Sequence, residues 1–138
     1  MIDRSFRVVL FSVLLLVACG GPESLLPTEL EGVWEGTSTG GDDRWTLIVT
    51  GERFFLQGSS GREWMKGSLE IESFANLRNA DLAVDECDCD FEGQRILGLY
   101  RIDGASLTIA SAGPGEPRPA TLEPAGQTRV FHLTRIGM

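Results

Sequence analysis

The stretch Leu30-Glu31-Gly32-Val33-Trp34 marks the point at which the chain changes from a linker to a β-strand pattern. It opens the first predicted strand and places a large aromatic ring two residues after a glycine. Large buried rings contribute much of the packing energy of a small core. We therefore expect this stretch to form the floor of a β-barrel.

Downstream of this stretch, apolar and polar side chains alternate with a period of two, and turn residues interrupt the alternation at intervals. This pattern is typical of strands with one buried face, and no segment has the pattern of a long amphipathic helix. A long meander with free edges is prone to aggregation, and barrel closure removes the edges. The sequence predicts one all-β domain over residues 30–138, an up-and-down antiparallel barrel of about eight strands. Residues 113–119 hold three prolines and two glycines and are expected to form a rigid loop.

Upstream, Thr28-x-x-Glu31 matches a capping box and predicts a short helical turn against the barrel opening. Residues 19–29 carry glycine and proline with little periodicity and are interpreted as a tether. As a flexible coil, this tether would span about 17 Å r.m.s..

Residues 1–18 have the features of a signal peptide, with Arg4 and Arg7 ahead of an apolar run at residues 8–18. This run is shorter than the roughly 20 residues that a membrane-spanning helix needs. Its end, Leu16-Val-Ala-Cys19, resembles the lipobox of bacterial lipoproteins, and this resemblance implies lipidation of Cys19 and membrane attachment through acyl chains. Since Gly20 and not aspartate follows, it also implies the outer membrane, facing the periplasm. The alternative is an ordinary secretory signal with an incidental cysteine.

Composition excludes some classes of partner. The chain has a formal net charge of −8, and Lys66 is its only lysine. Binding to nucleic acid or to anionic lipid headgroups needs clustered lysine and arginine, so neither is expected. A single domain of this length can bury a modest core without structural metals or disulfides.

The segment at residues 85–93 combines acids with two thiols, and three interpretations stay open. Cys87 and Cys89 could form a disulfide in an oxidising compartment if a tight turn brings them together. The segment could also be a solvated acidic hairpin tip. A weaker alternative is half of a calcium loop, whose ligands would be Asp88, Asp90 and Glu92. The second half of that loop is missing, because Leu99 stands where the bidentate glutamate belongs.

No catalytic constellation is recognisable, and the chain is not expected to be an enzyme or to need a cofactor. Nucleophile-elbow, zinc-protease and phosphate-loop motifs are absent from the sequence. His132 is the only histidine, and its alternation with Phe131 and Leu133 puts it on the outer face. Trp64 falls on the polar face beside Lys66, where it could mark a contact surface for a partner or the membrane.

Gly32-x-Trp34 together with Arg135 is similar to the lipocalin signature, in which the arginine packs across the tryptophan ring. Further segments resemble, in order, a family of small bacterial lipocalin-like domains, mostly uncharacterised and often lipoproteins: Lys66-Gly67, Asp81-Leu82, Gly98-Leu-Tyr100, Asp103-Gly104-x-Ser-Leu107 and Pro114-Gly-x-x-Arg118-Pro119. The resemblance covers residues 30–136 and implies a lipocalin-like barrel. Ala110 and Ser111 depart from it, because relatives have a cysteine and then a bulky residue there, and whichever of the two points inward would enlarge the cavity.

The candidate pocket residues are the aromatic residues Trp45, Phe55, Tyr100 and Phe131, with Phe54 as the alternative to Phe55. These rings either line a ligand site or fill a small barrel. Two functions therefore stay open. The first is a membrane-anchored lipoprotein that binds a small apolar or amphipathic ligand in the barrel mouth. The second is a filled-barrel scaffold lipoprotein that contacts another envelope protein. An open apolar cavity at the mouth favours the first.

Overall fold

The structure, a computed structural model, describes residues 28–61, 63–74 and 77–138. The predicted signal peptide, the lipidation at Cys19 and residues 19–27 of the predicted tether lie outside the described residues. Within the described ranges, no helix has the length and apolar character to cross a membrane.

A 3-10 turn at Thr28–Leu30 leads into eight strands that form one closed barrel. The strands are β1 Gly32–Ser38, β2 Arg44–Thr50, β3 Arg53–Gly58, β4 Trp64–Phe74, β5 Leu77–Cys87, β6 Arg95–Asp103, β7 Ser106–Ser111 and β8 Arg129–Gly137. Each strand pairs antiparallel with the next, and β1 pairs with β8 to close the barrel. The predicted all-β, up-and-down barrel with a short N-terminal helical turn is confirmed.

The alternation of the sequence sets which side chains point inward. In β2, Trp45, Leu47 and Val49 are buried, whereas Thr46 and Ile48 between them are more exposed. The inward side chains form one core cluster along the barrel axis. A smaller cluster of Val84, Cys87 and Ile96 lies near the β5–β6 hairpin.

The closed end of the barrel is built by Trp34 and Arg135. Trp34 is fully buried, and its indole Nε1 donates a hydrogen bond to the Leu30 carbonyl oxygen at 2.9 Å. The Arg135 guanidinium carbon lies 4.3 Å from the Trp34 ring centroid. Arg135 also donates to the Glu29 carbonyl at 2.8 Å and to the Glu31 carbonyl. It thus satisfies one carbonyl of the 3-10 turn and the carbonyl of the residue that follows the turn. The predicted pairing of Arg135 with Trp34 is confirmed.

Gly32 is required by this arrangement. Its φ of +138° lies in a region that residues with a side chain rarely adopt. A Cβ at this position would lie 2.7 Å from Arg135 Nη1 and 2.8 Å from the Gly137 carbonyl oxygen. The glycine therefore makes room for the arginine that covers the tryptophan.

A second glycine, Gly36, lies in the seam between β1 and β8. A Cβ there would lie only 1.9 Å from the His132 carbonyl oxygen. The backbones approach so closely at this point that the seam depends on the missing side chain.

Candidate functional site

The barrel encloses a cavity of about 430 Å³ that extends from Leu30 at the closed end to the opposite rim. This volume lies in the range of small-molecule sites, about 300–1,000 Å³. Its inner wall consists of apolar side chains contributed by strands around the barrel: Trp45, Leu47, Val49, Phe54, Leu56, Met65, Leu69, Leu82, Ile96, Ile109, Phe131 and Leu133. The interior is therefore suited to an apolar group.

Three of the four candidate pocket residues lie on this wall: Trp45, Tyr100 and Phe131. The rings of Trp45 and Phe131 meet edge to face, with centroids 5.6 Å apart and planes at 89°. They narrow the cavity below its rim.

The prediction for Phe55 is wrong. Phe54 is buried and lines the cavity, whereas Phe55 points to the outer face and lies beside Trp64, with ring centroids 6.4 Å apart. Because the two phenylalanines are adjacent, they necessarily face opposite sides of the strand, and the exact strand register decides which one is inside.

Small side chains that the aromatic pattern could not reveal give the cavity its width. Ala80, Gly98, Ser111 and Ala112 all line it. At Gly98 the space is limited by backbone, since a Cβ would lie 3.0 Å from the carbonyl oxygens of Ala80 and Ala110. Ser111 faces the cavity, while Ala110 is fully buried and does not line it.

Polar groups collect at the rim of the cavity. The rim includes Glu63, Asp88, Gln127 and Arg129, from the β3–β4, β5–β6 and β7–β8 connections and the start of β8. The Arg129 guanidinium carbon lies 5.6 Å from the Trp45 ring centroid, a cation–π geometry. A ligand seated in the cavity would thus meet apolar walls inside and charges of both signs at the mouth.

The two thiols at the rim are joined as a Cys87–Cys89 disulfide with a Cα–Cα distance of 5.1 Å. Cys87 is buried against the small cluster, and Cys89 Sγ accepts a hydrogen bond from the Phe91 amide at 3.4 Å. Cys89 and Phe91 also line the cavity, so the disulfide shapes one side of the mouth.

The calcium-loop interpretation finds no support in the geometry. Among the described residues, no three His, Cys, Asp or Glu side chains are grouped closely enough to hold a metal ion. The carboxylates of Asp88, Asp90 and Glu92, the candidate calcium ligands, are therefore not gathered around a common point.

A polar contact closes the cavity floor at Tyr100. Its hydroxyl donates to Glu29 Oε2 at 2.5 Å, and Arg78 donates to the same carboxylate. Burial raises the pKa of Glu29, but the hydrogen bonds from Arg78 and Tyr100 outweigh burial and hold that pKa below its usual value. Burial and the hydrogen bond to the Glu29 carboxylate raise the pKa of Tyr100, so the phenol stays neutral. The floor therefore ties the 3-10 turn to β5 and β6.

The connection between β7 and β8, residues 112–128, contributes Gly113, Pro114 and Gln127 to the mouth. It is fastened to the outside of the barrel by Arg118, which donates to both carboxylate oxygens of Asp81 and, at 3.0 Å, to the Gly98 carbonyl. Planar two-pronged contacts of this kind fix orientation as well as position. The ion pair between Arg118 and Asp81 on the outer wall therefore helps to fix the shape of the mouth.

On the outer side of the barrel, Leu99, Ala110 and Val130 form a cross-strand row, and all three are buried although they do not line the cavity. At one end of the row, Thr39 from the β1–β2 connection bonds to the Val130 backbone. His132, two residues beyond Val130, is exposed on the outer face, as predicted.

Replacement of Asp81 by asparagine is expected to loosen this connection and to change the acid stability. Burial raises the pKa of Asp81, but the hydrogen bonds from Arg118 and its charge lower that pKa by more than burial raises it. The pKa of Asp81 therefore lies below its usual value. A depressed folded-state pKa stabilises the fold above the unfolded pKa of about 3.9, and this contribution is lost as pH falls through the folded pKa. We expect Asp81→Asn to cost about 2 kcal/mol at neutral pH and to flatten the acid limb of the stability profile.

The measurement is urea unfolding at a series of pH values from neutral to acid. Asp42→Asn, in the exposed β1–β2 hairpin, is the control and should leave the profile unchanged. Equal acid sensitivity of the Asp81 variant and the original protein would contradict the role given to the ion pair.

Comparisons with protein-family models, with curated proteins and with solved structures found no match, so the fold and the cavity carry the functional argument.

Proposed function

We propose that this protein is a membrane-anchored envelope lipoprotein whose lipocalin-like barrel binds a small apolar or amphipathic ligand. The observation that carries the proposal is the cavity of about 430 Å³, apolar along its walls and polar at its rim. The ligand would place its apolar part between Trp45, Phe131 and the floor, and its polar end near Gln127 and Arg129.

The size of the cavity supports binding over a filled scaffold. Interiors are normally packed to the density of organic crystals, and an unfilled void forfeits the contacts of its lining. At about 24 cal/mol per Å³, an empty closed void of 430 Å³ would cost about 10 kcal/mol, comparable to the whole 5–15 kcal/mol that a domain usually has. A barrel that served only as a scaffold would gain stability by filling this space.

The anchoring part of the proposal rests on the sequence. The charged start, the apolar run at residues 8–18 and the cysteine at position 19 together fit an exported and lipidated chain. The disulfide at Cys87 and Cys89 supports an oxidising compartment outside the cytoplasm.

The test is to purify the full processed protein from its host's envelope and to record native and denaturing mass spectra side by side. We expect a small molecule that is present in the native spectrum and lost on denaturation, and a denatured mass that contains the lipid on Cys19. A native mass equal to that of the lipidated chain would favour the scaffold alternative. A denatured mass without lipid would contradict the anchor.

A matched pair of variants places the ligand in the barrel. Ala80 lines the cavity, whereas Ala83 on the same strand does not. With the dye anilinonaphthalene sulfonate as probe, Ala80→Leu should weaken binding at least about tenfold, equivalent to about 1.4 kcal/mol. Ala83→Leu should bind the dye like the original protein. Equal affinities in both variants would place the dye outside the cavity.

A further inference from the structure

The outer wall of the barrel carries an apolar row that crosses several strands. In the described part of the chain, three large apolar side chains are exposed, with exposed fractions of 37% for Ile48, 58% for Ile136 and 84% for Met138. The strand register brings these positions together. Ile48 is opposite Val33 on one side and Phe55 on the other, and Val33 is opposite Gly137, the residue after Ile136.

Trp64 extends this row at the β4 side. Its ring lies 6.4 Å from that of Phe55 with a tilt of 32°. Trp64 is partly exposed, and it also borders the cavity beside Glu63. We call the set Ile136, Val33, Ile48, Phe55 and Trp64 the apolar side patch. Tryptophan with one apolar and one hydrated side is typical of membrane–water interfaces.

Three ion pairs border the apolar side patch. Arg44 lies 3.4 Å from Glu35, Arg53 lies 2.9 Å from Asp85, and Lys66 lies 3.6 Å from Glu86. The cations of these pairs are neutralised by their partners, and the carboxylate of Glu31 also lies at this border, where it accepts a hydrogen bond from the Gly51 amide. The border therefore has no excess of positive charge that would favour an anionic surface, and it fits a zwitterionic one better.

The position of the patch relative to the start of the described chain limits what can cover it. The described residues begin at Thr28, and β1, which carries Val33, begins at Gly32. Residues 20–27 separate Thr28 from Cys19, and a flexible coil of that length would span about 17 Å r.m.s.. A lipid anchor at Cys19 would therefore hold the β1 end of the apolar side patch, at Val33, close to the bilayer surface.

We propose that the apolar side patch docks on the zwitterionic surface of the membrane that carries the anchor, so that the barrel lies on its β8–β1–β2–β3–β4 wall. This inference rests on the lipid anchor of the proposed function but does not depend on the cavity having a ligand. Ile48 and Ile136 enter the headgroup region, and Trp64 lies at its edge. Each buried apolar side chain adds to membrane affinity in proportion to its area.

The experiment uses the full lipidated protein in phosphatidylcholine vesicles that contain spin-labelled phosphatidylcholine. Trp34 and Trp45 are buried, so quenching of tryptophan emission by the spin label reports on Trp64. We expect quenching in the original protein and its loss in Trp64→Phe. Ile48→Glu and Ile136→Glu should each reduce it, and since Ile136 is largely exposed, its variant leaves the core intact.

Thr108→Glu is the matched control, because Thr108 lies on the outer face of β7, a strand that carries none of the patch residues, and should leave quenching unchanged. Failure of the original protein to float with vesicles would overturn the anchor and, with it, this docking. Flotation without quenching of Trp64 would overturn the docking alone. If Trp64 stays unquenched while Ile136→Glu converts a dimer to a monomer in analytical ultracentrifugation, the patch binds a second copy of the chain and the membrane proposal is wrong.

Discussion

Replacement of Trp34 by alanine is expected to lower the free energy of unfolding by about 4 kcal/mol, the usual range for a large buried aromatic. The side chain is fully buried, and its loss leaves a cavity at the closed end of the barrel. It also removes the hydrogen bond to the Leu30 carbonyl and the ring on which Arg135 stacks. The change should be measured by urea unfolding at neutral pH, followed by far-ultraviolet circular dichroism.

Trp64→Ala is the matched control, because the same side chain is removed from a partly exposed position at the edge of the cavity, outside the buried core. We expect this variant to lose about 1 kcal/mol, the centre of the distribution for ordinary substitutions. If the two tryptophan variants are equally stable, the closed end does not depend on Trp34 as described.

Replacement of Gly36 by alanine should lower the free energy of unfolding nearly as much as Trp34→Ala does, although it adds only one methyl group. The new Cβ would lie 1.9 Å from the His132 carbonyl oxygen, and backbone of β8 cannot give way without breaking the seam with β1. We expect a loss of about 3 kcal/mol or more, at the upper end for overpacking. Urea unfolding measures the loss, and proteolysis with a fixed amount of protease tests whether the seam opens.

Gly41→Ala provides the control for Gly36→Ala. Gly41 lies in the connection between β1 and β2, and a Cβ there would have no heavy atom within 4 Å. This variant should be as stable as the original protein. A similar loss at both positions would show that the close approach of β1 and β8 is not what makes Gly36 necessary.

The strands could be predicted from the sequence because their burial follows a regular pattern. Alternation with a period of two reports which side chains are buried, and it holds in β2 and β8 with few exceptions. The pairing of Arg135 with Trp34 was expected only from the resemblance to the lipocalin signature, and the observed cation–π geometry gives its physical basis.

The cavity was less predictable. The alternation could not decide between Phe54 and Phe55, since a shift of one residue exchanges the two faces of a strand. Neither Ala80 nor Gly98 was expected to shape the cavity, because the effect of a small side chain appears only when the barrel brings these positions to one wall. The ion pair between Asp81 and Arg118 joins residues separated by 37 positions, and no local rule connects them.

The contact between Arg135 and the 3-10 turn also has a consequence for the order of folding. Its partner Glu31 lies 104 positions earlier in the chain, so the first and last strands must meet before Trp34 is covered. Closing a loop of this length costs about 4 kcal/mol of chain entropy, which is recovered only after β1 and β8 have paired. A nascent chain that lacks β8 has both an uncovered tryptophan and two unpaired strand edges. We infer that the barrel forms late and in one cooperative step, on the millisecond-to-second timescale typical of all-β topologies.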